Sequence, residues 1–474
     1  MLHTNSQEFW FVVGSQELYG DETLHQVKLN SIEIVNRMNE FIDLSHEIIF
    51  KGVMTSSDEI LQVMKEVNYR DNVAGIITWM HTFSPAKMWI QGLKKLQKPL
   101  LHFVTQFTRE IPWESIDMDY LNLHQSAHGD REFGFMNARL KKNNKVIVGH
   151  WSNDLTLEKV RDWMKATIGA GESEKIKLAR FGDNMRNVAV SEGDKLEAAI
   201  KFGWTVDYYG IGHLVELISE VEKDEVEDLF MKYRELYTFD YLNYPKDVFH
   251  ATVKEQIKIE IALRKFLTEA GYTAFTTNFE SLHGVGQIPG LAVQRLVSEG
   301  FGFAAEGDWK TAAMNRIMKV MANNQRTGFL EDYTYNFLDS NSYILQSHML
   351  EVDPTLAQTK PRMIVAPLGI GNKADPARLV FDGPAGTGVV VSMIDEGSEF
   401  KLLINKVEAI TVKEPAPKLP MARIMWRPYP SFEEGIRKWI ESGGGHHTVA
   451  SFNINVNQLI DWSNIMNLKY TLIK

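Results

Sequence analysis

The chain contains no cysteine. Disulfides, zinc ribbons, iron–sulfur clusters and thiol catalysis are thereby excluded, and any metal ion must be held by oxygen and nitrogen donors. No apolar run approaches the roughly 20 residues that span a bilayer. The N-terminal stretch Met1-Leu2-His3-Thr4-Asn5-Ser6-Gln7-Glu8 has neither a basic n-region nor an apolar h-region, so the expectation is a soluble cytoplasmic protein with no membrane partner. Basic charge is scarce: 51 Lys and Arg stand against 61 Asp and Glu, a net charge of −10, which argues against a nucleic-acid partner. No Gly-x-Gly-x-x-Gly follows the first predicted strand. Gly383, Gly386 and Gly388 are closely spaced, but they lie among hairpin signals, the wrong context for a dinucleotide fingerprint. No internal period points to a solenoid.

What is present is a chain of 474 residues, too long for one ordinary core, so two or three domains are expected. Its 44% apolar and 24% charged residues are those of a globular protein. Eleven Trp and 25 Phe fit an ordinary core for the most part, with large interfaces or an aromatic-walled pocket as the alternative.

From about residue 8 to 105 strand and helix signals alternate. Phe9–Val13, His46–Val53, Val73–Met80 and Pro99–Thr105 read as strands. Leu24, Val27, Val35, Met38 and Phe41 form a helical stripe, Ser57 is placed to cap a second helix, and Ser84-Pro85 to start a third. Repeated βα units imply a parallel sheet covered on both faces. The pattern restarts near residue 176, with strands at Lys177–Phe181, Thr205–Tyr209, Tyr272–Thr276 and Phe301–Ala305 and helices at Asp194–Phe202 and 249–269. After about residue 326, Tyr343–Leu350, Arg378–Phe381, Gly388–Ile394 and Phe400–Val407 read as short strands separated by hairpin turns. The expected fold class is therefore α/β: two doubly wound parallel-sheet domains, 1–175 and 176–325, followed by a β-rich barrel or sandwich domain, 326–474.

Four residues carry potential chemistry. Glu306 follows an apolar strand and precedes Gly307 and Asp308, where Asp308 can cap the next helix. A carboxylate beyond a strand's carboxyl end faces a site, or else faces a helix dipole. Glu331 lies at the junction of the second and third domains, where a lone acid is ordinarily solvated. His348 lies in an apolar strand, where a histidine is more often a bonded core residue than a ligand. His446-His447 after three glycines is more specific, because glycine lets the backbone approach a ligand. Two carboxylates and two imidazoles suit a borderline-hard ion such as Mn²⁺. Gaps of tens of residues match no short ligand motif, so these residues can meet only in the fold. The polar stretch His124 to Glu132 reads as a substrate-binding loop or a loop held by its own charges. Phe83, Met185 and Phe279 carry no signal beyond core packing.

Taken together, the stretches Trp10 to Gly20, His81 to Ile90, His124 to Phe135, Arg180 to Arg186, Pro289 to Arg295, Glu306 to Ala312, Glu331 to Tyr335, Ser347 to Glu351, Asp375 to Leu379 and Gly443 to Val449 resemble the L-arabinose isomerase family over nearly the whole chain. The resemblance implies two α/β domains and a C-terminal β-barrel. It implies one Mn²⁺ per subunit, held by Glu306, Glu331, His348 and His447, with Glu306 and Glu331 catalytic. It implies sugar contacts from Gln16, Leu18, Phe83, Gln125, His128, Met185, Phe279, Ile370 and His446. The implied activity is reversible conversion of L-arabinose to L-ribulose, with D-galactose to D-tagatose alongside, in a homohexamer whose sites lie near subunit boundaries. Gly371-Asn372-Lys373-Ala374 departs from the family's usual loop. The rival expectations are an isomerase for another aldose, such as L-fucose, and a sugar-binding protein without catalysis. A ketose assay with and without Mn²⁺ separates the isomerase from the binding protein, and a panel of L-arabinose, D-galactose and L-fucose separates the isomerases.

Overall fold

The computed structural model describes Leu2 and residues 6–42, 46–241 and 244–474; the remaining N-terminal positions of the stretch read above lie outside the described residues. The chain divides into two compact units, one ending at Gly171 and the other holding residues 172–474. Among the described residues no helix is long and apolar enough to cross a membrane.

In the first unit, five parallel strands, Glu8–Gly14, Glu47–Met54, Val73–Met80, Leu100–Val104 and Lys145–Val148, lie in the order second-first-third-fourth-fifth. Phe9 to Val13 are buried without alternation, as a strand covered on both faces requires. The order reverses between the first and third strands, the place where doubly wound sheets hold ligands. Several local expectations are corrected. The cap of helix Ser57–Asn68 is Ser56, which forms a reciprocal capping box with Glu59. Ser84 caps nothing; its hydroxyl accepts from Trp89 Nε1 at 3.0 Å, and the turn after Pro85 is a short 3₁₀ segment, Ala86–Trp89. The supposed loop at 124–132 is mostly helix, Ser126–Arg139.

The second unit begins with four parallel strands, Lys177–Phe181, Thr205–Tyr209, Ala274–Thr277 and Gly302–Ala304, ordered fourth-third-first-second. Six antiparallel strands then close into a barrel: Gly386–Asp395, His447–Ser451, Thr327–Asn336, Tyr343–Ser347, Ile424–Pro428 and Phe400–Ile410, the last pairing back to the first. The barrel, rather than a sandwich, is thus established. Strand Ala377–Val380 falls outside it, in a separate three-stranded sheet with Arg362–Val365 and Thr238–Phe239. Leu330, Val390, Leu403, Val407, Ile424 and Ala450 belong to the barrel's core cluster. Helix Trp309–Met321 is buried along its entire length. At its start Trp309 meets Trp204 and Phe400 edge-on, at 6.3 and 6.5 Å between ring centres. Such pairs contribute about 0.5–1.5 kcal/mol each beyond their burial.

Candidate metal centre

Strand Gly302–Ala304 ends in a turn that presents Glu306 with φ at 63°, a left-handed conformation costly for a residue with a β-carbon. Gly307 follows at φ 78°, and a β-carbon there would lie 2.7 Å from Asn184 Cα, so the turn packs directly on the neighbouring loop. Met185 in that loop donates its backbone N–H to the Glu306 carbonyl at 3.0 Å. Asp308 caps the buried helix, accepting from Thr311 N at 3.1 Å.

Barrel register supplies the other side. Glu331 stands opposite Ser347 on one flank and opposite His447 on the other, and directly opposed residues share a face. Leu330 and Ala450 point into the core, so Glu331 and His447 point out of the barrel wall. Glu331 therefore lies within barrel strand Thr327–Asn336 rather than in a linker. His348 lies just past the end of its strand, which stops at Ser347. Phe329 packs beneath both imidazoles, 5.0 Å from His348 and 5.1 Å from His447 between ring centres.

The four distant residues meet. His447 Nε2 is 3.5 Å from Glu306 Oε2, and His348 Nε2 is 3.8 Å from Glu331 Oε2. His446 Nε2 bridges the pairs, 3.9 Å from Glu306 and 3.8 Å from Glu331. The tightest three-donor group is Glu306, His446 and His447, whose ligand atoms all lie within 4.8 Å of one another. Two of the imidazoles are oriented from behind: His447 Nδ1 contacts Asp308 Oδ2 at 3.0 Å, and His348 Nδ1 contacts Glu351 Oε2 at 2.5 Å. A carboxylate on Nδ1 fixes the ring and turns Nε2 toward the cluster, as behind metal-bound histidines generally. His446 faces Glu306 and Glu331 through Nε2, and its side chain is 36% exposed against 1% for His447. Its position suits a group facing an incoming molecule.

The charges are mutually dependent. Burial opposes ionisation of Glu306, but the His446, His447 and His348 imidazoles outweigh it and hold its pKa below the ordinary value. Asp308 follows the same pattern, with His447 prevailing over burial. Burial likewise opposes charge on His348, yet Glu351, Glu331 and Glu306 hold its pKa above 6.5. The nearby Glu306 carboxylate raises that of His446 against burial, and Glu331 adds to it. Glu306 Oε2 and His447 Nε2 are buried and have no hydrogen-bond partner.

Of the remaining expected site residues, Met185 and Phe279 follow the carboxyl ends of strands Lys177–Phe181 and Ala274–Thr277, beside the Glu306 turn. Ile370 lies in the loop between Arg362–Val365 and Ala377–Val380. Five others belong to the first unit. Gln16 and the 83% exposed Leu18 follow its first strand, and Phe83 follows its third. Phe83 stacks on His128 with ring centres 4.0 Å apart, and His128 Nδ1 lies 3.3 Å from the Gln125 side-chain oxygen. Local packing also requires glycine in the triple glycine before His446. A β-carbon on Gly444 would lie 2.3 Å from the Trp439 indole nitrogen, so Gly444 accommodates Trp439, and Gly443 holds a left-handed φ of 84°.

Sequence reasoning passed over Asp308 as more than a cap, and it passed over Glu351 and Tyr333. Glu351 stands three residues after His348, a legible spacing. Tyr333 sits at the register shift after Asp332; burial, then Glu331 and Glu351, raise its phenol pKa, so it stays protonated beside the carboxylates.

Three family profiles match in succession: an L-arabinose isomerase N-terminal domain over residues 3–175, a central domain over 177–324 and a C-terminal domain over 326–469. An L-arabinose isomerase of Oceanobacillus iheyensis is 57% identical over 474 residues, 100% of both chains. L-arabinose isomerase 2 of Clostridium acetobutylicum is 58% identical over 473 residues, covering 100% of this chain and 97% of its own. The Geobacillus stearothermophilus enzyme of that name is 51% identical, covering 100% and 95%. A periplasmic sugar-binding protein from Legionella pneumophila aligns with a TM-score of 0.16 and 8% identity over 67% of this chain and 95% of its own, which supports no inference.

Proposed function

Since the chain belongs to the L-arabinose isomerase family, we propose that it interconverts L-arabinose and L-ribulose with the help of Mn²⁺ held by Glu306, Glu331, His348 and His447. The observation that carries the metal assignment is the pair of buried, unpartnered atoms, Glu306 Oε2 and His447 Nε2, 3.5 Å apart. An unsatisfied buried acceptor costs about 1–3 kcal/mol, which coordination of a cation offsets. Carboxylates and imidazoles without sulfur accept Mn²⁺ as they do other first-row divalent ions, and the choice of Mn²⁺ follows the family resemblance. When bound, the ion supplies positive charge that polarises the sugar oxygens at C1 and C2 and stabilises negative charge developing there.

The chain's own residues move the protons. One carboxylate of the Glu306–Glu331 pair takes the C2 proton. The C–H electron pair becomes the C1–C2 double bond of an ene-diol as the C1 oxygen gains a proton. Loss of the O2 proton then re-forms a carbonyl at C2, and the carried proton goes to C1. Glu306, held ionised by its imidazole neighbours, is in the form that accepts a proton. Met185, Phe279, Ile370 and His446 are proposed as sugar contacts in the unit that holds the centre. Gln16, Leu18, Phe83, Gln125 and His128 are proposed as a further set in the first unit. The three-part division at about residues 175 and 325, a cytoplasmic location and a hexameric assembly complete the reading. The contiguous exposed apolar residues Tyr335, Phe337 and Leu338 support burial between copies.

The test is ketose formation from L-arabinose, D-galactose and L-fucose, with and without Mn²⁺. We expect L-arabinose to be the best substrate. D-galactose, with the same configuration at C2 to C4 and one carbon more, should also react, since one added carbon costs about 1–3 kcal/mol. Preference for L-fucose would reassign the substrate, and no ketose from any sugar would restore the binding-protein reading.

Metal affinity should fall with acid. Protons compete with the ion for His348, and a protonated His446 would add positive charge beside it; both have pKa values held above 6.5. Loss of Mn²⁺ affinity should therefore begin above that pH and reach about tenfold or more between pH 8 and pH 6. In the metal-free protein these raised pKa values stabilise the fold below the ordinary histidine pKa, and that contribution is lost as pH rises through the folded values. The thermal midpoint gained from Mn²⁺ should thus be larger at the higher pH. Equal gains at both, read by calorimetry, would contradict this.

A further inference from the structure

Helix Trp309–Met321 starts at Asp308, which orients His447, and near its other end it carries a fully buried lysine, Lys319. The Lys319 ammonium pairs with Asp353, also buried, and donates to Asn324 Oδ1 at 3.0 Å. Asp353 lies two residues beyond Glu351, in the stretch after Ser347 that has no regular secondary structure until Pro354. That stretch carries His348 and the carboxylate behind it. Asp353 also accepts from Thr355 N at 2.8 Å. It presses on the strand that bears Glu331: a β-carbon on Gly328 would lie 2.6 Å from Asp353 Cβ. One buried ion pair therefore touches the segments that hold three of the four proposed ligands or their orienting groups.

Stability does not account for such a pair. Removing two charges from water costs several kcal/mol per ion, and apolar replacements of buried pairs are often neutral or stabilising. What a buried pair can supply is a fixed register. We propose that Lys319 is a positioning residue of the metal centre, acting through Asp353 to fix His348 and Glu351 against the strand that carries Glu331. The inference rests on the metal reading above.

The experiment titrates Mn²⁺ alone into the full-length metal-free protein by calorimetry, alongside thermal unfolding of the same samples. Lys319→Met strands a buried carboxylate and is expected to destabilise the fold. The double variant Lys319→Met with Asp353→Asn removes both charges while keeping an acceptor for Thr355 N. Its metal-free midpoint should stay within about 4 °C of the parent. Its Mn²⁺ dissociation constant should rise about 10–100-fold, the range seen when groups behind metal ligands are lost. A double variant that folds and binds Mn²⁺ within twofold of the parent would overturn the proposal. One that fails to fold would also overturn it, by showing the pair to be structural. Absence of Mn²⁺ binding by the parent would instead overturn the metal reading itself.

Discussion

Glu306→Gln should lower kcat by about 10²–10⁴-fold, the contribution of a positioned general base, with the fold intact. Glutamine keeps the shape of the side chain and can sit in the same left-handed turn, but it cannot take a proton at neutral pH. The turn is fixed independently of the carboxylate, by the Met185 N–H to Glu306 O bond and by the contact of Gly307 with Asn184, so a change in kcat reports chemistry rather than unfolding. Glu331→Gln should have a similar effect. Because the pair acts on one proton inventory, the double variant should be little worse than either single one. Steady-state kinetics at saturating Mn²⁺ read this directly. A Glu306→Gln enzyme within tenfold of the parent kcat would remove Glu306 from the chemistry. Solvent tritium entering C1 of the ketose would further support proton transfer over a hydride shift.

His447→Ala should cost more Mn²⁺ affinity than the about 10–100-fold associated with groups behind a ligand. It deletes the Nε2 donor beside Glu306 and leaves the buried Asp308 without its imidazole. Asp308→Asn, which keeps the ring but weakens its orientation, should fall within that range. At a hundredfold excess over its dissociation constant, Mn²⁺ stabilises the parent by about 2.7 kcal/mol, and a hundredfold loss of affinity removes nearly all of that. The metal-dependent gain in thermal midpoint should therefore vanish in His447→Ala at the concentration that stabilises the parent. A retained gain would place the ion elsewhere.

Much of the fold is legible where apolar period dominates. The central parallel strands and the helix Gly20–Ile42 announce themselves through runs and stripes that end up buried, whereas the edge strand Lys145–Val148, largely exposed, has no such run and is absent from the sequence reading. Helix Ser126–Arg139 does not, because apart from Phe133 its buried face is made of small and polar groups. Gly129 lies against Thr82 O, and Asp130 pairs with His102 at 2.7 Å in the interior. Hydrophobic periodicity is blind to such a face. The Ser56 to Glu59 spacing is itself the signature of a capping box and places the cap one residue before Ser57. At the centre, residue types and their family resemblance point to Glu306, Glu331, His348 and His447. The barrel register that sets Glu331 beside His447, and the contact of Asp308 with His447 across 139 positions, exist only in three dimensions.

The most direct test is titration of Mn²⁺ into chelator-treated protein while L-ribulose formation and thermal midpoint are followed together. The account predicts negligible turnover without the ion, and activity and midpoint rising in parallel to saturation at one ion per chain. Full turnover in the metal-free protein would contradict it.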